Sequence, residues 1–425
     1  MPKVLIVSND FPPRRGGIQS FVHGLASRMP SGAVVVYAPS WDGAAAFDAR
    51  QPFPVIRHPT SLMLPVPSVA RRAVRIMREH HCDTVVFGAA APLGLLTPSL
   101  RRAGARRVVA ITHGHEAGWA ALPVARTLLR RIGDHVDVVT YLGEYFRLRL
   151  ARALSAEATA RMVRLAPGVD TGAFRPGAGG NEIRERLGLG NRPVVVCVSR
   201  MVPRKGQDIL IRAWPRVLAA AGEAGGPLAA AGEVGGPLAA AREAGGPVPA
   251  AAGESGGPLP AARGEAGGPV LLLVGDGPYR AELGRLAQRT GVSASVVFTG
   301  EVPLAELPAH YDAGNVFAMP CRTRRGGLDV EGLGIVYLEA SAAGLPVVGG
   351  DSGGAPDAIL DGETGYVVPG RDIAAVARRI TELLADPAGA AAMGEKGAAW
   401  VDREWRWDLV AARLWHILSG EPTAG

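Results

Sequence analysis

The most constraining feature of this 425-residue chain is a strand–loop–helix alternation that runs twice, on either side of a turn-rich break. Val4–Ser8, Val34–Ala38, Val85–Gly88, Val108–Thr112 and Val138–Tyr141 are short valine-rich runs without polar alternation. Runs of that kind suit parallel strands covered on both faces. Val55–Arg57 adds a shorter one. Helical patterns lie between them, at about Ile18–Met29, Ser68–His80, Pro92–Ala103, Pro123–Gly133 and Gly143–Leu154. Pro167–Pro176 has no periodicity and reads as a linker. The alternation then restarts with strands at Val194–Ser199, Val270–Val274, Val296–Phe298, Val316–Pro320 and Val347–Gly350. Lys205–Val217 continues into a helix, Gly362–Tyr366 reads as a hairpin-like turn, and Ile373–Leu384 and roughly Ala391–Ser419 are closing helices. An α/β protein of two Rossmann-like layers is expected. The length, beyond that of one ordinary domain, agrees. The implied division is 1–168, a linker 169–192, a second domain 193–390 and a terminal helix from 391.

One stretch breaks the pattern. Residues 218–269 repeat a Leu-Ala-Ala-Ala-Gly-Glu-Ala-Gly-Gly-Pro unit with variants. Ala, Gly and Pro bury little apolar surface, so a flexible inserted loop without chemistry is expected there. Elsewhere the composition is globular, 48 % hydrophobic and 20 % charged, enough for a core. Charge is unevenly spread: residues 1–168 carry 22 Lys+Arg against 10 Asp+Glu, whereas the whole chain is only +7. A basic first half suits an anionic partner. No zinc-finger, recognition-helix or basic-aromatic RNA motif accompanies it, which argues against nucleic acid. Cys82, Cys197 and Cys321 are too scattered for a disulfide framework or a metal cluster. Met1–Val7 reads as a strand rather than a signal peptide, and the longest apolar run, Thr84–Leu96, is too short and too broken to span a bilayer.

The chemistry concentrates at the ends of strands. In Arg324–Glu339 two carboxylates, Glu331 and Glu339, stand eight residues apart around a Gly-Leu-Gly turn, with helix from Ile335 closed by Pro346. Gly332 and Gly334 allow close backbone approach, and the helix start offers N–H groups to an anion. Arg200 and Lys205, after Val194–Ser199, are cations placed for a diphosphate. Gly16 and Gly17 follow the first strand and open a helix, a phosphate-binding arrangement, though not a G-x-G-x-x-G. His113-Gly-His-Glu116 ends a strand where open α/β sheets bind ligands; lacking further metal ligands nearby, His115 suits hydrogen bonding. Arg71, Arg72, Arg75 and Arg78 on Ser68–His80 fit either a solvated helix on its own sheet or one lying on anionic headgroups. Tryptophans 400, 405, 407 and 415 give the closing helix surface enough to dock on another element.

Taken together, Gly16-Gly17, His115, Arg200 with Lys205, and Glu331 with Glu339 resemble the signature of glycosyltransferase family 4, of GT-B fold. Asn9–Phe21, Thr112–Glu116, Val138–Glu144, Val202–Asp208 and Pro320–Asp329 look closer still to the actinobacterial phosphatidylinositol mannosyltransferases. That resemblance implies two Rossmann-like domains facing a cleft, with the C-terminal helix crossing back to the first. It implies retaining transfer of mannose from GDP-mannose to (acyl-)phosphatidylinositol monomannoside, with no cofactor or metal, on the inner face of the plasma membrane. The second domain would hold the donor. Arg200 and Lys205 would take its diphosphate, Gly334 and Ile335 would add backbone donors, and Gly16 and Gly17 would admit the β-phosphate. Glu339 would bind the ribose, Glu331 and His115 the mannose, and Val302 would lie near the guanine. Asp10 is the candidate for acceptor contact. The rival readings are a sister transferase using a UDP-sugar and, more remotely, a GT-B sugar-nucleotide epimerase.

Overall fold

The structure is a computed structural model that describes residues 2–14, 16–114, 116–223 and 267–420. Two all-parallel sheets form its framework. The first runs β3-β2-β1-β4-β5-β6-β7, from β1 (Val4–Val7), β2 (Val34–Pro39), β3 (Val55–His58), β4 (Thr84–Phe87), β5 (Arg107–Ala110), β6 (Val138–Tyr141) and β7 (Met162–Arg164). The second runs β10-β9-β8-β11-β12-β13, from β8 (Val194–Val198), β9 (Val270–Val274), β10 (Val296–Gly300), β11 (Val316–Met319), β12 (Val347–Gly350) and β13 (Gly365–Val368). Central strands are buried along their whole length, as helices on both faces require, while the edge strands β3 and β7 are only half-buried. In each sheet the order reverses beside the first strand of the unit, β1 or β8. The crevice where open α/β sheets bind ligands lies there, outside the carboxyl ends of the strands.

Several expectations needed correction. Gly362–Thr364 is a turn, closed by the Gly362 amide donating to the Gly365 carbonyl at 2.8 Å, but not a hairpin's: it leads into β13, which pairs in parallel with β12, Val347 opposite Gly365. Strand β7 gave no sequence signal, because three residues are too few to show a period. The helix after Lys205 begins at Gln207, behind a tight Pro203–Lys205 turn, and runs to Glu223. The first residues of the expected insert, Leu218-Ala-Ala-Ala, therefore extend that helix, as good helix formers beside a core will; residues 224–266 lie outside the described residues. The linker holds a helix of its own, Gly180–Arg186, pinned where Asp312 accepts from the amides of Gly177 and Gly180 at 2.8 and 2.7 Å.

The closing helix is two helices, Pro387–Glu404 and Trp407–Ser419. The first packs on the second domain, with Trp400 and Trp405 in its core. The second buries Val410, Leu414, Ile417 and Leu418 among Val4, Ile6, Phe21 and Leu25 of the first domain. Its Trp407 ring lies where a side chain at Gly24 would be, under the Arg28 guanidinium at 4.7 Å. The chain thus crosses between the domains twice, and the crossings touch: Val169 donates its amide to the Trp405 carbonyl at 2.7 Å. Cys82, Cys197 and Cys321 are buried free thiols.

Candidate active site

The carboxyl ends of the two sheets face each other. Gly332, in the loop after β11, lies against the His113 carbonyl after β5, and Asp357 packs on Gly143 after β6. The loops singled out in the sequence come from these two edges.

On the second-domain side the structure brings Lys205, Glu331 and Glu339 together. Lys205 Nζ lies 2.8 Å from Glu331 Oε2, an ion pair that is not an aligned hydrogen bond, and both residues are buried. Arg204 adds Nε at 3.6 Å from the same oxygen and reaches Asp329 at 3.7 Å. Burial alone would push the Glu331 carboxyl up; the Lys205 ammonium and the Arg204 guanidinium outweigh it and hold the group below its ordinary range. At neutral pH Glu331 is therefore a carboxylate, able only to accept hydrogen bonds. Burial pushes Glu339 above its ordinary range, opposed by the Tyr311 hydroxyl, which donates to Oε2 at 2.7 Å, and by the charge of Lys205.

The backbone around these groups leaves no room for side chains. Gly334 has φ 74° and ψ 59°, the left-handed conformation, and a Cβ there would sit 2.5 Å from the Tyr337 ring. It turns the loop so that Ile335–Ala342 starts behind Glu331, with Glu339 on the second turn. Gly206, at φ +80°, lies so close to the Pro320 carbonyl that a Cβ would fall 2.0 Å from its oxygen. That contact locks the Lys205 turn to the end of β11. A buried bidentate pair reinforces it: Arg322 donates to both oxygens of Asp208 at 2.9 Å, while the Arg322 amide donates to the Arg204 carbonyl. Arg200, by contrast, is exposed, and the second cation on Glu331 is Arg204. Val302 is half-buried after β10.

On the first-domain side Gly16 and Gly17 are exposed at the start of Gly17–Ala26. Gln19 folds back past Gly16 and donates from Nε2 to Asp10 Oδ1 at 2.9 Å, so Asp10 and the glycine pair form one unit. Among the described residues no hydrogen bond or ion pair joins them to the Lys205–Glu331 group. His115 lies outside the described residues. Of its neighbours, the His113 ring is paired with the Gly88 carbonyl and stands edge-on to Phe21, and the His113 amide donates to buried Glu116 at 2.9 Å. Among the described residues no three His, Cys, Asp or Glu side chains gather as a metal site. No described helix is long and apolar enough to cross a membrane.

Residues 15–173 match the family model for Glycosyltransferase Family 4, and residues 263–400 match that for Glycosyl transferases group 1. The chain is 50 % identical to the GDP-mannose-dependent alpha-(1-6)-phosphatidylinositol monomannoside mannosyltransferase of Mycolicibacterium smegmatis, over 99 % of both chains. The chain belongs to glycosyltransferase family 4. This family 4 enzyme is also 41 % identical to a Corynebacterium glutamicum protein named GDP-mannose-dependent monoacylated alpha-(1-6)-phosphatidylinositol monomannoside mannosyltransferase, over 99 % of this chain and 98 % of that one. Its fold matches the crystal structure of Anabaena HepE in complex with UDP at a TM-score of 0.74 and 19 % identity, covering 98 % and 100 % of the two chains. The glycosyltransferase thus has the GT-B fold that its motifs implied.

Reasoning from sequence missed Arg204, Tyr311 and the Asp208–Arg322 pair. Arg204 and Asp208 stand inside the Val202–Asp208 motif, so their positions were in view. Tyr311 had no signal, being an ordinary buried aromatic until the fold sets it against Glu339.

Proposed function

We propose that this glycosyltransferase moves mannose from GDP-mannose to phosphatidylinositol monomannoside, with retention, giving the dimannoside. The observation that carries the reading is the 50 % identity over 99 % of both chains to a mycobacterial enzyme named for that donor and acceptor. In this reading residues 193–390 hold the donor and residues 1–168 the acceptor, joined by 169–192.

The donor's diphosphate lies by Lys205 and Arg200, with the amides of Gly334 and Ile335 at the helix start. As the mannosyl C1–O bond breaks, charge grows on departing GDP, and fixed cations and amides stabilise that charge most. Lys205 keeps further N–H donors beyond its contact with Glu331. Glu331, held ionised, accepts from mannose hydroxyls, and Glu339, anchored by Tyr311, accepts from the ribose. Val302 lies along the guanine, and Gly16 and Gly17 let the first-domain loop approach the β-phosphate. His115 takes the mannose 6-hydroxyl and Asp10 the acceptor. The acceptor oxygen bonds to C1 on the face GDP leaves, and its proton passes to the departing phosphate. The chemistry runs without a metal.

The acceptor is a lipid, and one surface suits it. Arg71, Arg75 and Arg78 are exposed on the helix Pro67–Glu79, along a groove of about 790 Å³ that Arg102 also lines. Leu62 and Leu64 project beside it, 56 % and 50 % exposed. Asn9 fastens this loop to the acceptor side, donating to the Met63 carbonyl at 3.0 Å and accepting its amide at 2.8 Å. Apolar tips beside exposed arginines suit an anionic leaflet, which supports the reading of a peripheral enzyme on the inner face of the plasma membrane. Nucleic acid is not a partner.

The test is transfer of label from GDP-mannose, against UDP-glucose and UDP-GlcNAc, to phosphatidylinositol and its monomannoside. Label should reach the monomannoside from GDP-mannose and be lost in Lys205→Ala and Glu331→Ala. Turnover of a UDP-sugar alone would overturn the donor assignment and leave the fold standing.

A further inference from the structure

Phe146 belongs by sequence to the first domain, on the helix Glu144–Ala151, yet it is 1 % exposed and part of the second domain's core. Its ring touches both sides of the cleft. On one side is Gly114, at φ +95° in the His113–Glu116 loop, where a Cβ would lie 2.8 Å from the ring. On the other is Gly354, where a Cβ would lie 3.3 Å from Phe146 Cε2 and 2.1 Å from the Gly332 carbonyl oxygen. Gly354 in turn donates its amide to the Glu331 carbonyl at 3.1 Å, and Ser352 Oγ accepts the Glu331 amide at 3.3 Å.

The stack is therefore continuous: Gly114, the Phe146 ring, Gly354, then the backbone of Glu331 and Gly332. A flat ring between two glycines sets a separation that a flexible or smaller side chain would not hold. The same helix meets the second domain nearby. Asp357 lies against Gly143 at the helix's first turn, where a carboxylate is favoured. Arg149 covers the Tyr145 ring at 4.6 Å and approaches Gly327.

We propose that Phe146 is a positioning residue that holds the backbone at Gly114, after β5, and the Glu331 loop in register across the cleft. It touches no reacting atom; it acts through the two loops. The inference rests on the transferase reading above, because its consequence is a slower transfer step. In that reading GDP itself is held by groups of the second domain and by the Gly16–Gly17 loop, none of which Phe146 touches through Gly114, so displacing the backbone at Gly114 affects turnover more than GDP affinity. A displacement of about 1 Å in such an arrangement costs on the order of 100-fold in rate.

The experiment compares wild type, Phe146→Leu and Phe146→Ala in full-length protein, measuring GDP affinity by calorimetry and kcat and KM for transfer. The wild type is first assayed with each sugar nucleotide, and the variants with whichever it turns over. A wrong donor then overturns the proposed function, and the Phe146 comparison is read with that donor's own nucleoside diphosphate in place of GDP. Phe146→Ala should lose about 10- to 100-fold in kcat with GDP affinity within about two-fold, and Phe146→Leu should recover part of the loss. If Phe146→Ala does not fold, by circular dichroism, Phe146→Leu is held to the same split. GDP affinity falling in step with kcat, or kcat within about three-fold of wild type, would overturn the proposal.

Discussion

Replacing Lys205 by Met keeps most of the aliphatic stem but strands the Glu331 carboxylate, which is buried with its cation 2.8 Å away. Breaking a buried pair by removing one partner costs about 3–5 kcal/mol, mostly from the charge left behind. Arg204, 3.6 Å from the same oxygen, compensates in part, so the lower end, about 3 kcal/mol, is expected. For a domain of this size that lowers Tm by roughly 6–12 °C. Glu331→Gln added to Lys205→Met should restore most of the loss, since the buried charge is gone. The pH dependence carries a second signature. In the wild type Glu331 titrates below its ordinary value of 4.5, so its contribution is present above that pH and lost as pH falls through the lowered value. Without Lys205, burial dominates and raises the folded pKa, so acidification relieves the variant and the gap to wild type narrows. Thermal unfolding of the three proteins, wild type, Lys205→Met and the double variant, between neutral pH and pH 4 reads both effects. A double variant no more stable than Lys205→Met would refute the stranded carboxylate as the cause.

The other outcomes concern separate groups. Glu339 titrates above its ordinary value, so as a carboxylate it opposes folding at neutral pH, and stability falls as pH rises through the raised value. Glu339→Gln should therefore keep or raise Tm while raising KM for the donor, which scanning calorimetry and kinetics separate. Asp208→Asn leaves the Arg322 guanidinium buried without its counterion and should cost about 3–5 kcal/mol by urea unfolding. Gly334→Ala forces a left-handed backbone and a clash with Tyr337; it should cost at least about 1–2 kcal/mol and lower kcat. Arg71, Arg75 and Arg78 together to Gln should weaken sedimentation with anionic vesicles by about 3 kcal/mol at low salt, with little effect on neutral vesicles.

Much of the candidate site's geometry was legible because it depends on residue type at fixed local spacing. Lys205 before a glycine turn and Glu331 eight residues before Glu339 are short-range patterns, and the strands that present them are unbroken valine runs. Features that depend on a distant neighbour left no such trace. Phe146 reads as one more apolar helix position, and its place between Gly114 and Gly354 exists only once two domains meet. Arg200 and Arg204 are equally basic in sequence, and the Pro203–Lys205 turn decides which one points at Glu331. Strand β13 begins inside a Gly-Glu-Thr-Gly-Tyr run that looks like a turn, because its partner β12 lies well before it.

By itself, then, the amino-acid sequence determined two parallel α/β layers, the family, and the carboxylates and cations at the strand ends. These follow from hydrophobic patterning and backbone permissiveness, which act over a few residues. The ionisation of Glu331 against that of Glu339, the crossing of Val169 beside Trp405, and the register of one sheet edge against the other were decided only by the tertiary structure. Burial and charge pairing are properties of space rather than of order along the chain.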